Sequence, residues 1–195
     1  MATKIITPVA VEPVTLAELQ AHLRLYVVAG VTPDDAMIQG QLSAAREYAE
    51  HYTGRALAPQ TLELALDAFP VGAIDLPGVP VTSITSIKYI DVAGTEQTLV
   101  NTAYSLNDYG ITARAERAFG TTWPSTQTVA NALKVRYVAG YVAGTLPRTV
   151  RAALLLFVGH LYENRQEVSV ATMIKTEQLP MGVKALLDTV DCMAL

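Results

Sequence analysis

The glycine-rich segment YVAGYVAGTLP, residues 137–147, has residue types that could bind a phosphate. An alternating apolar segment precedes it and an apolar run follows, which is the strand–turn–helix layout of a phosphate-binding loop. A P-loop also needs four residues between its glycines and then a Lys-Ser/Thr pair. Gly140 and Gly144 enclose only three residues, and Thr145-Leu146 follows. The segment is therefore predicted to be a structural turn, with Pro147 in the first turn of the next helix.

Side chains that could bind a metal or act in catalysis are scattered. His22, His51 and His160 lie far apart, and none is followed by a useful second ligand three or four residues later, although His160 and Glu163 could share a helix face. Two groups are too few for a metal site. The single cysteine, Cys192, excludes a disulfide within the chain and a thiolate zinc cluster, and no G-x-S-x-G motif is present. The sequence predicts no catalytic residue, no metal and no cofactor.

Composition sets further bounds. The chain has 195 residues, of which 51% are apolar and 16% charged, enough for a hydrophobic core. The net charge is −4, and the 14 basic residues are dispersed, which argues against tight DNA binding because that requires clustered Lys and Arg. The sequence lacks an apolar run long enough for a membrane helix and the pattern of a signal peptide, so a reducing interior is the expected environment.

Two helices are predicted near the N-terminus, over residues 15–27 and 33–53. Thr15 and Glu18 form a capping-box pattern, and apolar residues up to Tyr26 follow at helical spacing. The second helix begins with the Asp34-Asp35 pair and ends at Gly54. Two adjacent carboxylates could suggest acid–base chemistry, but acidic residues are also favoured at helix N-termini, and this structural interpretation is preferred.

Strand signals dominate from about residue 60 to residue 142. Alternating apolar residues predict a small antiparallel sheet of five or six strands, with turns at 91–97 and 107–110. Two sets of residues are each expected to share one strand face: Leu62, Leu64 and Leu66, and Val81, Ser83, Thr85, Ile87 and Tyr89.

Helical signals return over residues 147–166, where the apolar residues occupy nearly every side, as in a central core helix. Residues 167–179 have no clear period and are predicted to be a mobile arm, and a last short helix follows Pro180. The fold class is therefore α+β. A helical bundle (15–54 and 147–190) carries an inserted antiparallel β-lobe (about 60–142) within one domain spanning 1–195.

The aromatic residues leave two interpretations open. Trp123 is predicted to pack on the sheet edge rather than to form an exposed interface hot spot. Four tyrosines of the strand region fit either the core or an assembly interface. They are Tyr104, Tyr109, Tyr137 and Tyr141.

Four stretches together resemble the head–tail connector, or adaptor, proteins of long-tailed double-stranded DNA phages, prophages and gene transfer agents. They are VTLAELQAHLRL (14–25), EYAEHYTGRALAPQTLEL (47–64), LPGVPVTSITSIKYIDVAGTEQTL (76–99) and WPSTQTVANALKVRYVAGYVAGTLPRTVRAALLLFVGHLYENRQE (123–167). Each motif is weak alone, whereas their order and spacing are specific. Beyond residue 167 nothing distinctive is found.

The resemblance implies a structural protein that is not an enzyme. Such proteins form a ring, usually twelve-fold, beneath the portal in the virion neck, and then receive the stopper or tail components. They assemble in the host cytoplasm, and DNA passes through the ring without sequence-specific binding. The implied fold, a helical bundle with an inserted β-lobe, agrees with the patterns above. Whether the isolated protein is a monomer stays open.

Residues 164–179, together with the final helix, are hypothesised to become ordered on the portal or a neighbouring subunit. The interface residues expected there are Arg165, Glu167, Met173, Lys175 and Glu177. Gly140 and Gly144 are expected to set the angle of the β-lobe. The alternatives are another neck or tail-completion protein such as a tail terminator, a small enzyme or nucleotide-binding protein of a mobile element, and a DNA-binding packaging factor.

Overall fold

The computed structural model describes residues 2–27, 30–165 and 181–190. The chain divides into two compact units. One is rich in strands and contains the residues up to 11 together with 58–142. The other is helical and contains 12–57 and the described residues from 143 onwards. The N-terminal residues thus belong to the strand-rich unit, which the sequence patterns do not predict.

Eight strands lie in the described part of the chain, and all of their pairings are antiparallel. Their bounds are β1 (Ala2–Thr7), β2 (Gln60–Leu66), β3 (Ile74–Leu76), β4 (Val81–Ile90), β5 (Glu96–Thr98), β6 (Tyr104–Asn107), β7 (Ala113–Arg117) and β8 (Leu133–Ala139). A five-stranded sheet has the order β1-β2-β8-β4-β5, and a three-stranded sheet has the order β3-β7-β6. The core face of the larger sheet includes Leu62, Leu64, Val135 and Tyr137.

The predicted single sheet of five or six strands is wrong in number and in arrangement. Strand β1 pairs with β2, which lies more than fifty residues further along the chain. Its residues are almost all exposed, so its sequence has no alternating pattern of apolar and polar residues that would predict a strand. Strand β3 has three residues, too few for a periodic signal. Pairing between distant segments, rather than local pattern, creates these two strands.

Strand β4 departs from the strict alternation predicted for it. Two register irregularities, between Val81 and Ser83 and between Ile84 and Ser86, shift which side chains face the core. The β4 residues opposite the buried positions of β8 are Val81, Ile84, Ile87 and Tyr89. Ser83 and Thr85, predicted to share that face, are exposed. Cross-strand partners share a face, so each irregularity moves Ser or Thr out to solvent.

The helical unit contains four α-helices among its described residues. They are α1 (Leu16–His22), α2 (Asp35–Thr53), α3 (Arg148–Glu163) and α4 (Met181–Asp188). Gly54 ends α2 in the left-handed conformation, as predicted. The first helix is shorter than the predicted 15–27, because Arg24 has a φ of 54° and turns the chain. Tyr26 consequently lies outside the helix and is exposed.

Helix α3 is not buried on all sides, contrary to the prediction of a central core helix. Its buried residues are Val150, Ala153, Leu154 and Val158. Leu156, on another side, remains 44% exposed. Among the described elements the helix packs mainly against α1, α2 and α4. High apolar content therefore overestimates its burial.

Helix α4 packs against α2 and α3 of the helical unit. Val183 and Leu187 are buried. The Tyr52 hydroxyl donates to Asp188 Oδ1 (2.6 Å), and Arg55 Nε donates to the Val190 carbonyl (2.6 Å). The hypothesis that the final helix becomes ordered on the portal or a neighbouring subunit stays a prediction, and these contacts show how Met181–Asp188 packs when it is folded. The predicted mobile arm, residues 167–179, lies outside the described residues.

The predicted capping box is confirmed at the start of α1. Glu18 N donates to Thr15 Oγ1 (3.3 Å), and Thr15 N donates to Glu18 Oε2 (2.8 Å). The same glutamate forms an ion pair with Arg151 of α3. The box therefore fixes the start of α1 and orients a contact between two helices.

We expect Thr15→Ala to lower the free energy of unfolding by about 1 kcal/mol, because the first turn of α1 loses its side-chain cap. Thr15→Ser keeps a hydroxyl at the same position and should retain most of that stability. Urea unfolding followed by circular dichroism measures both variants. Equal stability of the alanine and serine variants would contradict the capping role.

None of the helices that the structure describes is both long and apolar enough to span a bilayer.

Candidate assembly surfaces

The glycine-rich segment connects the last strand to the third helix. Strand β8 ends at Ala139, and Pro147 is the N-cap of α3, one residue before the helix begins. Gly140 and Gly144 both have positive φ, at 115° and 84°. Gly140 N donates to the Pro80 carbonyl (2.8 Å), which anchors the start of the connection to the strand-rich unit. The expected effect of the glycines on the angle of the β-lobe stays a prediction.

No catalytic or metal-binding arrangement forms among the residues that the structure describes. No group of three or more His, Cys, Asp or Glu side chains could hold a metal within those residues. An open cleft of about 430 Å³ in the strand-rich unit has Glu116 and Arg117 as its only ionisable lining residues. Another, of about 340 Å³, has Asp67 alone. In the first cleft the Thr121 hydroxyl donates to the backbone carbonyls of Ala103 and Ala118 rather than to Glu116. In the second cleft Asp67 accepts a hydrogen bond from Asn131 N.

The adjacent acids Asp34 and Asp35 have structural partners. The Tyr162 hydroxyl donates to Asp34 Oδ2 (2.6 Å), and Arg165 Nη2 lies 3.1 Å from the same oxygen. The Arg165 guanidinium also lies over the Tyr162 ring, 4.5 Å from its centroid. This cluster joins the end of α3 to the start of α2. The preferred interpretation of the pair as structural acids at a helix start agrees with these contacts.

Hydrogen bonds hold the pKa of both carboxyls below their usual range. For Asp34 the largest cause is the hydrogen bond from Tyr162, followed among the favourable contacts by Arg165. For Asp35 the side chain and backbone N–H of Thr32 have the largest effect, and the Gln20 amide adds to it (2.8 Å). The ionised form of each carboxyl is thus favoured in the folded state.

The lowered pKa values predict a loss of stability in acid. A carboxyl with a lower pKa in the folded state stabilises the fold above its unfolded pKa, about 4 for aspartate, and this stabilisation disappears as the pH falls through the folded value. We expect Asp35→Asn to be less stable than the unaltered chain at neutral pH and to lose less stability on acidification. Urea midpoints measured at pH 7 and near pH 3 test this. Parallel acid profiles for the two proteins would contradict it.

Arg165 is the only predicted interface residue within the described part of the chain. Its contacts with Asp34 and Tyr162 are intramolecular, although its side chain remains about half exposed. The other four, Glu167, Met173, Lys175 and Glu177, lie outside the described residues. A role of all five in an interface stays a prediction.

The aromatic residues of the strand-rich unit divide between core and surface. Tyr137 is fully buried, its hydroxyl donates to the Pro77 carbonyl (2.9 Å), and burial raises its pKa. Tyr109 is 99% exposed, so it is available for a contact. Trp123 stacks on Phe69 with ring centroids 4.9 Å apart, and its Nε1 donates to the Gly72 carbonyl (2.9 Å). The tryptophan therefore packs against the strand-rich unit, as predicted, but these contacts are with the segment between β2 and β3 rather than with an edge strand of the sheet.

A buried ionic cluster in the helical unit is absent from the sequence predictions. The guanidinium of Arg46, on α2, contacts Glu12 (2.9 Å) and Glu50 (2.7 Å), and Glu47 lies 3.5 Å away. Glu50 also accepts a hydrogen bond from Leu57 N (2.8 Å). The four-residue spacing from Arg46 to Glu50 could have predicted their ion pair on one helix face. No local pattern predicts the contact with Glu12.

Among the comparisons with known proteins, the comparison with solved structures found similar chains. No protein-family model matches the chain, and no curated protein does either. A chain in the virion of a native gene transfer agent (GTA) particle is 27% identical with a TM-score of 0.76, covering 97% of this chain and 94% of that one. A chain in the neck of an empty GTA particle, computed with C6 symmetry, is 28% identical with a TM-score of 0.79, covering 97% and 95%. A chain in the neck of a native GTA particle, computed with C12 symmetry, is 26% identical with a TM-score of 0.75, covering 97% and 94%.

The similarity extends over both units rather than over one shared element. The matched chains lie in the virion and the neck of GTA particles, which supports a structural component of a virion neck. The mixed α+β class is confirmed by the observed helices and antiparallel sheets.

Proposed function

We propose that this protein is a head–tail connector, or adaptor, that forms a ring beneath the portal, joins the DNA-filled capsid to the stopper or tail, and lets DNA pass. The observation that carries the proposal is the similarity over 97% of the chain to a neck component of a GTA particle. Symmetric neck particles support a ring, because C6 and C12 are cyclic symmetries.

The sequence adds support for the connector role within the neck. The four connector-like stretches occur in the expected order along residues 14–167. A net charge of −4 with dispersed basic residues suits a ring through which DNA slides, because a basic lining would bind the phosphates. The predicted interface segment, beginning at Arg165, would contact the portal or the next subunit.

Mixing the purified protein with the portal of its own particle tests the proposal. Negative-stain images should show an added ring at the tail-facing end of the portal. Binding to the tail tube instead of the portal would favour a tail-terminator role and overturn the proposal.

The interface residues can be tested in the same mixture. We expect Lys175→Glu to weaken portal binding, whereas Lys88→Glu, a change of the same charge in the strand-rich unit, should not. Equal binding by both variants would remove Lys175 from the proposed interface.

A further inference from the structure

We propose that neighbouring copies of this chain join by strand addition: β1 of one copy pairs with the open part of β4 in the next, which makes the five-stranded sheet continuous around the ring. The inference rests on the proposed ring-forming function and specifies the contact between its subunits. It depends on the two edges of the sheet, both of which lie within the strand-rich unit.

Strand β1 presents an open backbone edge. It is the terminal strand of its sheet and, within the described part of the chain, pairs only with β2. The outer row of backbone N–H and C=O groups is therefore available to another strand. Proteins commonly protect such edges with proline, several charges or β-bulges. Strand β1 contains no proline, Lys4 is its only charged residue, and its one register irregularity lies near its end, between Ile5 and Thr7.

An apolar row crosses the sheet and reaches both edges. Register places Ile5 opposite Leu62, Leu62 opposite Tyr137, and Tyr137 opposite Ile84. The inner members of the row are buried, whereas Ile5 is 56% exposed and Ile84 is half-buried. Placing Ile5 of one copy beside Ile84 of the next would cover both ends of the row with apolar surface.

The other edge is only partly covered. Strand β5 pairs with residues 88–90 of β4, and Leu99 N donates to the Ile87 carbonyl (2.8 Å). Residues 81–86 of β4 have β8 on one side and no strand on the other among the described residues. This open part is six residues long, like Ala2–Thr7, and it contains the two register irregularities of β4.

The strand directions also fit. Strands β1, β2, β8 and β4 alternate in direction, so β1 and β4 run in opposite directions. In a head-to-tail ring whose axis runs along the strands, rotation preserves these directions. The incoming β1 therefore meets β4 as an antiparallel neighbour, like every other pair in the sheet.

Cysteine pairs across the proposed contact test it in assembled particles. Lys4 belongs to the row Lys4–Glu63–Arg136–Ser86, on the opposite sheet face from Ile5. Lys4→Cys combined with Thr85→Cys or with Ser86→Cys, each in a Cys192→Ser background, places thiols on the two edges. Particles purified from the producing strain are treated with a short bifunctional thiol reagent and separated on denaturing gels.

A ladder of covalent multimers extending beyond the dimer is expected in at least one double variant and in none of the single variants, since only a head-to-tail contact propagates around a ring. Particles that contain the chain but yield no ladder from either double variant would overturn strand addition and leave the connector role intact. If particles made with the unaltered gene lack the chain, the proposed function itself fails. Ile5→Lys provides a second readout: it should reduce the amount of the chain in particles several-fold, whereas Val92→Lys, at an exposed turn, should not.

Discussion

Gly140→Ala should strongly destabilise the fold. A Cβ at this position would lie 2.8 Å from Pro59 N and closer still to the carbonyl of Ala58, and all of these atoms are backbone. The φ of 115° is also unfavourable for any residue with a side chain. Overpacking costs about 1–3 kcal/mol and a left-handed backbone about 1–2 kcal/mol, so a loss of about 2–5 kcal/mol is expected.

Gly144→Ala is the matched control, because this glycine lies in the same connection. It has a φ of 84°, but a Cβ there would meet no atom within 4 Å. The alanine would suffer only the strain of a left-handed backbone. Because alanine also makes the unfolded chain less flexible, part of this cost is offset, and we expect the free energy of unfolding to fall by about 1 kcal/mol. Urea unfolding and soluble yield measure both variants. Equal destabilisation would show that the close approach to Ala58 is unimportant.

These two variants also separate folding from assembly. If the connection sets the angle of the β-lobe, Gly144→Ala should fold and yet bind the portal less well than the unaltered chain. Full portal binding by the folded variant would remove Gly144 from that role. Gly140→Ala cannot make this distinction, since its effect falls on folding itself.

Local patterns predict the elements whose signals are contained within one segment. The Thr15–Glu18 capping box, the αL end of α2 at Gly54 and the hairpin turn before β5 are each encoded by a few neighbouring residues. The wrong strand predictions have a different cause. Strand β1 exists through pairing with β2, and the irregularities of β4 arise from its pairing with β8, so neither can be found from period alone.

The candidate surfaces are predictable to different extents. The order of the four connector-like stretches indicates a neck protein from the amino-acid sequence alone, because these stretches sample most of the chain. The open edges of the sheet are not predictable, since an edge is defined by which strands do not pair. The burial of Arg46 is also not predictable from local sequence, because one of its partners, Glu12, is thirty-four residues away.

Removing the buried cation of the helical unit should have the second large effect. The Arg46 side chain is only 8% exposed and neutralises Glu12 and Glu50, which are themselves mostly buried. Arg46→Met keeps a long apolar stem but leaves two carboxylates without their cation. Breaking a buried pair in this way costs about 3–5 kcal/mol, a large part of the stability of a typical domain.

Arg114→Met is the matched control, because it removes an arginine from an exposed ion pair instead of a buried one. Its ion pair with Asp75 has nearly the same length, 2.8 Å, but the two side chains are 52% and 56% exposed. Water screens such a pair, so at most about 1 kcal/mol is expected. Thermal and urea unfolding of both variants should therefore differ clearly.

The same cluster allows a test of why Arg46 matters. If the penalty arises from unpaired carboxylates, adding Glu12→Gln and Glu50→Gln to Arg46→Met should recover part of the lost stability, because amides cost less to bury than charges. If it arises instead from the packing of the arginine stem, the added changes should give no recovery. Recovery would identify Arg46 as the charge that holds Glu12, at the start of the helical unit, against α2.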